Sequence, residues 1–118
     1  MKRMGMVAAA CAAAIGIAAG SALAGGGTKL TASVSDPLDI SLTAGGKKLT
    51  SLKAGAYTIV VQDRASDHNF HLKGPGVDKK TSVGGKGTTT WKVTLRKGTY
   101  TYVCDPHASV MKGSFTVK

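Results

Sequence analysis

The sequence predicts an all-β domain, a sandwich of about eight short strands. Apolar residues alternate with Thr, Ser, Lys and Gln over runs of six to eight residues. Clusters of Gly, Pro and Asp interrupt these runs at regular intervals, and beyond the N-terminal segment no stretch sustains a helical period. Alternation with one polar face is what an antiparallel sheet solvated on one side requires.

The elements follow in order. Lys29 to Val34 ends at Asp36-Pro37, Leu38 to Thr43 at Gly45-Gly46, and Lys47 to Leu52 at Lys53-Ala54-Gly55. Ala56 to Gln62 puts Tyr57, Ile59 and Val61 on one face. Asp63, Arg64 and Asp67 after it read as turn and surface residues. His68 to Lys73 runs into the Gly74-Pro75-Gly76 turn. Thr88 to Leu95 follows Gly84 to Gly87 and carries Trp91, Val93 and Leu95 inward, with Trp91 a core residue. After Lys97-Gly98, Thr99 to Cys104 places Tyr100, Tyr102 and Cys104 on one face, so Cys104 points inward, and Lys112 to Val117 closes the domain. Tyr100 suits the structural corner that tyrosines make in such sandwiches.

Residues 1–24 read as a cleaved export signal. Lys2 and Arg3 precede an uncharged apolar stretch from Met4 to about Gly20, and Ala22-Leu23-Ala24 offers small residues at the cleavage-determining positions. Alanine and glycine dominate the stretch, and they are weaker than the leucine-rich composition of a stable anchor, so no membrane insertion is expected after cleavage. Residues 25–118 then form one small domain, too short for a multidomain enzyme. Cys11 leaves with the leader, and the Lys2-Arg3 pair lacks the twin arginine of folded export. The expected location is periplasmic or extracellular.

Of 16 Lys and Arg residues, 14 remain after the leader against six acidic residues, all Asp, a net charge of +8. The lysines are spread over loops without interleaved aromatics, which together with export argues against nucleic acid as a partner. Cys104 is left without an internal disulfide partner. An exported lone thiol pairs between molecules, is buried, or is captured by a metal.

Cys104, His107 and Met111 fall within eight residues, and Met111 is the only methionine after the leader. A thiolate, an imidazole and a thioether suit copper, whose electron-transfer sites take one Cys and two His in a plane with a weak axial Met. Zinc would accept the nitrogen and thiolate donors but gains little from the thioether. Simple burial of Cys104 and Met111 is the bland alternative. A second histidine comes from His68 or His71. His68 shares its face with Phe70 and Leu72, so it points inward, whereas His71 shares its face with Asn69 and Lys73 and belongs on the solvated side.

On these residues the chain from about Thr28 to Lys118 resembles the cupredoxins, the small blue copper proteins that include plastocyanin, amicyanin and azurin. His68-Asn69 is similar to their first-ligand His-Asn pair. Gly98-Thr99-Tyr100-Thr101-Tyr102-Val103-Cys104-Asp105-Pro106-His107 is similar to their ligand strand and loop, and Met111 with Lys112-Gly113-Ser114-Phe115 to the axial ligand and closing strand. The resemblance implies a Greek-key topology and one copper ion cycling between Cu(I) and Cu(II). It implies His68, Cys104 and His107 as equatorial ligands and Met111 as the axial one, with Asn69 tying the two ligand loops together. Three residues separate His107 from Met111, where plastocyanins usually have four and amicyanins two, which leaves the axial geometry and the potential open.

The implied function is a monomeric one-electron carrier, not an enzyme. The three histidines of the chain are too few for catalytic copper centres of the oxidase kind. A copper module for delivery or storage is the alternative. By the resemblance, His107 is the electron port, ringed by Pro106, Ala108, Val110 and the Pro75 turn. Lys73, Lys79, Lys80, Lys86 and Lys112 would steer an acidic redox partner.

Overall fold

Along Gly55–Asp63, alternate residues Tyr57, Ile59, Val61 and Asp63 are all buried, and the same rhythm puts Leu30, Ala32 and Val34 of Thr28–Ser35 into the core. These two strands pair side by side in one sheet, whose apolar face needs cover, and the chain supplies it by stacking a second sheet on the first. The computed structural model describes residues 27–118, so the predicted leader and its cleavage point lie outside the described residues. Ten strands follow: β1 Thr28–Ser35, β2 Asp39–Ala44, β3 Lys47–Lys48, β4 Ser51–Leu52, β5 Gly55–Asp63, β6 His71–Gly74, β7 Val77–Lys80, β8 Gly87–Leu95, β9 Gly98–Val103 and β10 Lys112–Val117. One sheet has the order β3-β2-β1-β5-β8, the other β4-β10-β9-β6-β7. The all-β sandwich is therefore present. Among the described residues no helix is long and apolar enough to cross a membrane.

Several details differ from the sequence reading, each for a physical reason. The run Lys47 to Leu52 is not one strand. Lys47–Lys48 pairs with β2, Ser51–Leu52 pairs with β10 of the other sheet, and Leu49 between them is buried where the chain changes sheets. Pairing is mixed, because β1 lies parallel to β5 and β4 parallel to β10. In each case the intervening chain has crossed between sheets, and a crossover permits parallel pairing. The ladder of β6 begins at His71 and not at His68. β7 was hidden from the pattern because Asp78, Lys79 and Lys80 follow one another; it is an edge strand, where lysines discourage pairing with another chain. Asp63, expected at the surface, is 6% exposed because it continues the inward face of β5, and its Oδ1 accepts from the Ala65 N–H at 3.2 Å.

The second sheet is packed tightly at its centre. Tyr100 stacks on Phe115 with centroids 5.3 Å apart, and Tyr102 on Phe70 at 5.4 Å. Tyr102 covers Gly113 and Tyr100 covers Gly74 so closely that a Cβ on either glycine would collide with the ring. Tyr100 also takes the corner role: its Oη accepts from the Arg96 N–H at 2.9 Å and donates to the Pro75 carbonyl at 2.8 Å. Trp91 is core, as its parity predicts.

Candidate metal centre

β9 and β10 are antiparallel with Val103 opposite Lys112, so the connecting residues start and finish side by side. The Cys104 N–H donates to the Met111 carbonyl at 3.0 Å and closes the loop at its base. Inside it, Pro106 favours the tight turn of the 3₁₀ helix Asp105–His107. The His107 N–H donates to the Cys104 carbonyl at 3.0 Å, and the Met111 N–H to the His107 carbonyl at 2.8 Å. Cys104 and Met111 are both fully buried in the same core cluster, while His107 is half-buried at the loop surface.

His68 arrives from the other sheet. β5 belongs to the first sheet and β6 to the second, so residues 64–70 form the crossing between them. A crossing segment has no ladder to fix its facing; here Thr81 fixes it, because its Oγ1 accepts from the Phe70 N–H at 2.9 Å. His68, Asn69 and Phe70 are consecutive and all buried. The inward direction of His68 agrees with its parity. Asn69 is buried too, although its parity matches exposed Lys73, because strand alternation does not apply before His71.

The three donors converge. His68 Nδ1 lies 3.2 Å from His107 Nδ1, and Cys104 Sγ lies 3.7 Å from His68 Nδ1 and 3.5 Å from His107 Nδ1. A point in the plane of this triangle is about 2.0 Å from all three corners, the length of nitrogen bonds to zinc and a few tenths short of its thiolate bonds. Two imidazole nitrogens this close share either a proton or a cation. The donor set therefore fits a soft or borderline ion, and together with Met111 it fits copper. Among the described residues a second group, Asp36, Asp67 and His68, also converges, but its two carboxylates are exposed.

The far nitrogen of His68 settles its tautomer. Nε2 lies 3.1 Å from the Pro37 carbonyl, which can only accept, so Nε2 carries the proton and Nδ1 presents its lone pair to Cys104 and His107. Asp36 Oδ1, also 3.1 Å from Nε2, reinforces this.

Asn69 joins the two ligand-bearing segments. Its Nδ2 donates to Asp105 Oδ2 at 2.9 Å and to the Thr81 carbonyl at 3.1 Å, and its Oδ1 accepts from the Asp105 N–H at 2.8 Å. His71, set aside by parity, supports the same residue. Its Nδ1 lies 2.8 Å from Asp105 Oδ1 and its Nε2 2.6 Å from Asp78 Oδ1. Burial disfavours the charged imidazolium, but the two carboxylates outweigh it and hold the His71 pKa above its ordinary value. The hydrogen bond from His71 holds Asp78 below the usual carboxylate range. Burial raises Asp105, yet the hydrogen bonds from His71 and Asn69 leave it lowered as well. Sequence reasoning missed this trio because it missed β7: with Lys73 opposite Asp78, residues 71 and 78 are diagonal neighbours on one face of the hairpin.

The surface residues expected around His107 divide. Pro106, Ala108 and Val110 lie on the loop and are exposed, Val110 by 61%, and Lys112 stands at its base. Pro75 is a correction. Because β6 runs antiparallel to β9 with His71 opposite Val103, the turn after Gly74 falls at the far end of β9, where Pro75 packs on Gly98 and accepts from Tyr100. Lys73, opposite Thr101, lies between the two ends.

Known proteins give the same picture. The family model of copper binding proteins of the plastocyanin/azurin family matches residues 35–118. Amicyanin-alpha of Methylorubrum extorquens is 39% identical over 72 residues, covering 57% of this chain and 58% of its own length, so the chain spans less than two thirds of that relative. Reduced rusticyanin superposes with a TM-score of 0.55 at 23% identity, over 76% of this chain and 78% of its own. Rusticyanin from Thiobacillus ferrooxidans gives 0.52 at 25% identity, over 76% of both chains. These two likenesses concern the fold, whereas the family match spans the whole ligand loop and His68. The chain belongs to the plastocyanin/azurin family of copper-binding proteins.

Proposed function

We propose that the protein is an exported one-electron carrier in which His68 Nδ1, Cys104 Sγ and His107 Nδ1, together with the Met111 thioether, would hold one copper ion. The observation that carries this reading is the triangle of donors with sides of 3.2, 3.5 and 3.7 Å. Bound copper supplies a one-electron couple. The chain's task is to keep the ligands still and dry: His68, Cys104 and Met111 are fully buried, and Asn69 and Pro37 fix the segments that bear them. With four donors assigned, no position is left for a substrate, which favours a carrier over catalysis.

Half-buried His107 is the exit for the electron, and exposed Pro106, Ala108 and Val110 around it form a small apolar contact area. Lys112 beside it, with the basic balance of the chain, favours a partner with an acidic docking face, so the rate of transfer should fall as salt rises. Export rests on the character of residues 1–24 and predicts that the mature protein recovered from a secreting host begins at Gly25.

Copper titration of the purified protein tests the ligand set. The expected result is an intense thiolate-to-copper absorption band with narrow hyperfine splitting in electron spin resonance, both lost in Cys104→Ser. A weak spectrum of the tetragonal kind that Cys104→Ser leaves unchanged would remove Cys104 from the ligands. Rapid electron self-exchange distinguishes a carrier from a delivery module, which would exchange slowly and hand its metal to chelators.

A further inference from the structure

His71 is a histidine outside the copper triangle, and both of its ring nitrogens are spoken for. Nδ1 sits 2.8 Å from Asp105 and Nε2 2.6 Å from Asp78. Carboxylates only accept when ionised, so a ring meeting one at each nitrogen is an imidazolium donating twice, and such charge-assisted bonds are short and strong. The ring is 13% exposed, whereas the Asp105 carboxylate is 40% and the Asp78 carboxylate 69% exposed, so water screens the outer bond more than the bond to the turn.

Its two partners belong to different parts of the fold. Asp78 lies on edge strand β7, rooted in the sheet by the pairs His71–Lys80 and Lys73–Asp78. Asp105 is the first residue of the 3₁₀ turn between Cys104 and His107. The turn is therefore gripped at Asp105 by Asn69 from one side and by His71 from the other, one carboxylate oxygen each. Asn69 alone leaves Oδ1 free and lets the carboxylate rotate about its side-chain bond; the second grip stops that rotation.

We propose that His71 is a positioning residue of the copper centre: it anchors Asp105 to strand β7 and holds the Cys104–His107 turn in its ligating shape before metal enters. This rests on the ligand set proposed above, and it assigns to the solvated-side histidine a role that touches no metal.

Two variants and two measurements test it. His71→Phe keeps a ring but deletes both bonds, and Asp78→Asn weakens the outer anchor while leaving the bond to Asp105. In the metal-free protein, hydrogen exchange at the amides of Asp105, His107 and Met111 should quicken about tenfold in His71→Phe and less in Asp78→Asn, with the amides of Ile59 and Tyr100 unchanged. Copper affinity should fall by roughly 10- to 100-fold in His71→Phe, as is usual for groups that orient ligands, and the reduction potential should shift in the same variant. Exchange that quickens equally at Ile59 and Tyr100 would make His71 a general stability residue and overturn the proposal. Loop exchange and affinity within twofold of the parent would overturn it too. If the parent itself gives no thiolate-to-copper band, the ligand set fails, and the exchange measurement still decides whether His71 holds the turn.

Discussion

At one end of β9, Gly98 and Tyr100 meet Gly74 and Pro75; at the other, Cys104 and Asp105 meet Asn69 and His71. The first end is closed mainly by shape. An aromatic ring lies on a glycine that has no room for a side chain, and the ring's hydroxyl ties off two backbone groups. The second end is closed by a polar network in which nearly every contact is directional and two partners are charged. Packing gives stability that varies little with conditions, whereas the polar network gives precise placement that depends on protonation and on each partner being present. The site that must hold a metal is at the end where placement is precise.

Mutations should separate the two ends. Tyr100→Ala is expected to cost most in stability, about 3–5 kcal/mol, the range for emptying an aromatic site in a core. Denaturant unfolding measures the loss, and the copper spectrum of the protein still folded should be unchanged. A spectrum that changes as well would mean the two ends are mechanically one.

Asn69→Ala should do the reverse. It removes both donations to Asp105 and Thr81 and the acceptor for the Asp105 N–H, so copper affinity should drop about 10- to 100-fold. Equilibrium dialysis against a competing chelator reads this directly. Unaltered affinity would show that His71 alone suffices to hold the turn.

A subtler change at the first end is Gly74→Ala. Its Cβ would enter the Tyr100 ring, so the ring must move, at a cost of about 1–3 kcal/mol for overpacking. Thermal unfolding gives the value. A neutral result would mean that the hairpin of β6 and β7 yields more easily than the tyrosine.

The smallest effect is the pH response of the polar end. Because the folded pKa of His71 is raised, its contribution is complete below the ordinary histidine value of 6.5 and is lost as pH rises through the folded value. Asp78, whose folded pKa is lowered, contributes fully above its ordinary 3.8 and loses that contribution as pH falls through the folded value. The contribution of the network is therefore complete between the ordinary carboxylate value of 3.8 and the ordinary histidine value of 6.5, and fades beyond each as pH moves through the shifted folded value. Unfolding midpoints measured across pH in the parent and in His71→Phe should converge on the alkaline side of that window; curves that stay parallel would contradict the assignment of His71 as a cation.

Parity carried most of the fold and part of the centre. Tyr57, Ile59 and Val61, or Tyr100, Tyr102 and Cys104, betray their faces because a ladder repeats every two residues. The same logic, applied one step further, would have buried Asp63. It could not reach Asn69, which lies in a segment crossing between sheets, or His71, whose partner Asp78 lies on a strand without apolar alternation. The two sheet-switching dipeptides around Leu49 were hidden for a related reason, since pattern records burial but not which sheet a residue pairs with.

By itself the sequence determined what depends on neighbours along the chain: the all-β class, the inward face of each long strand, and the donors spaced Cys104, His107 and Met111 on one loop. The tertiary structure alone decided what depends on contacts between distant segments. The 3.2 Å approach of His68 to His107 spans 39 residues, the Pro37 carbonyl that orients His68 lies 31 residues before it, and Asp105 meets His71 across 34. Such contacts follow from how two sheets stack and where the chain crosses between them. That is settled by burial of the whole core and not by any local periodicity.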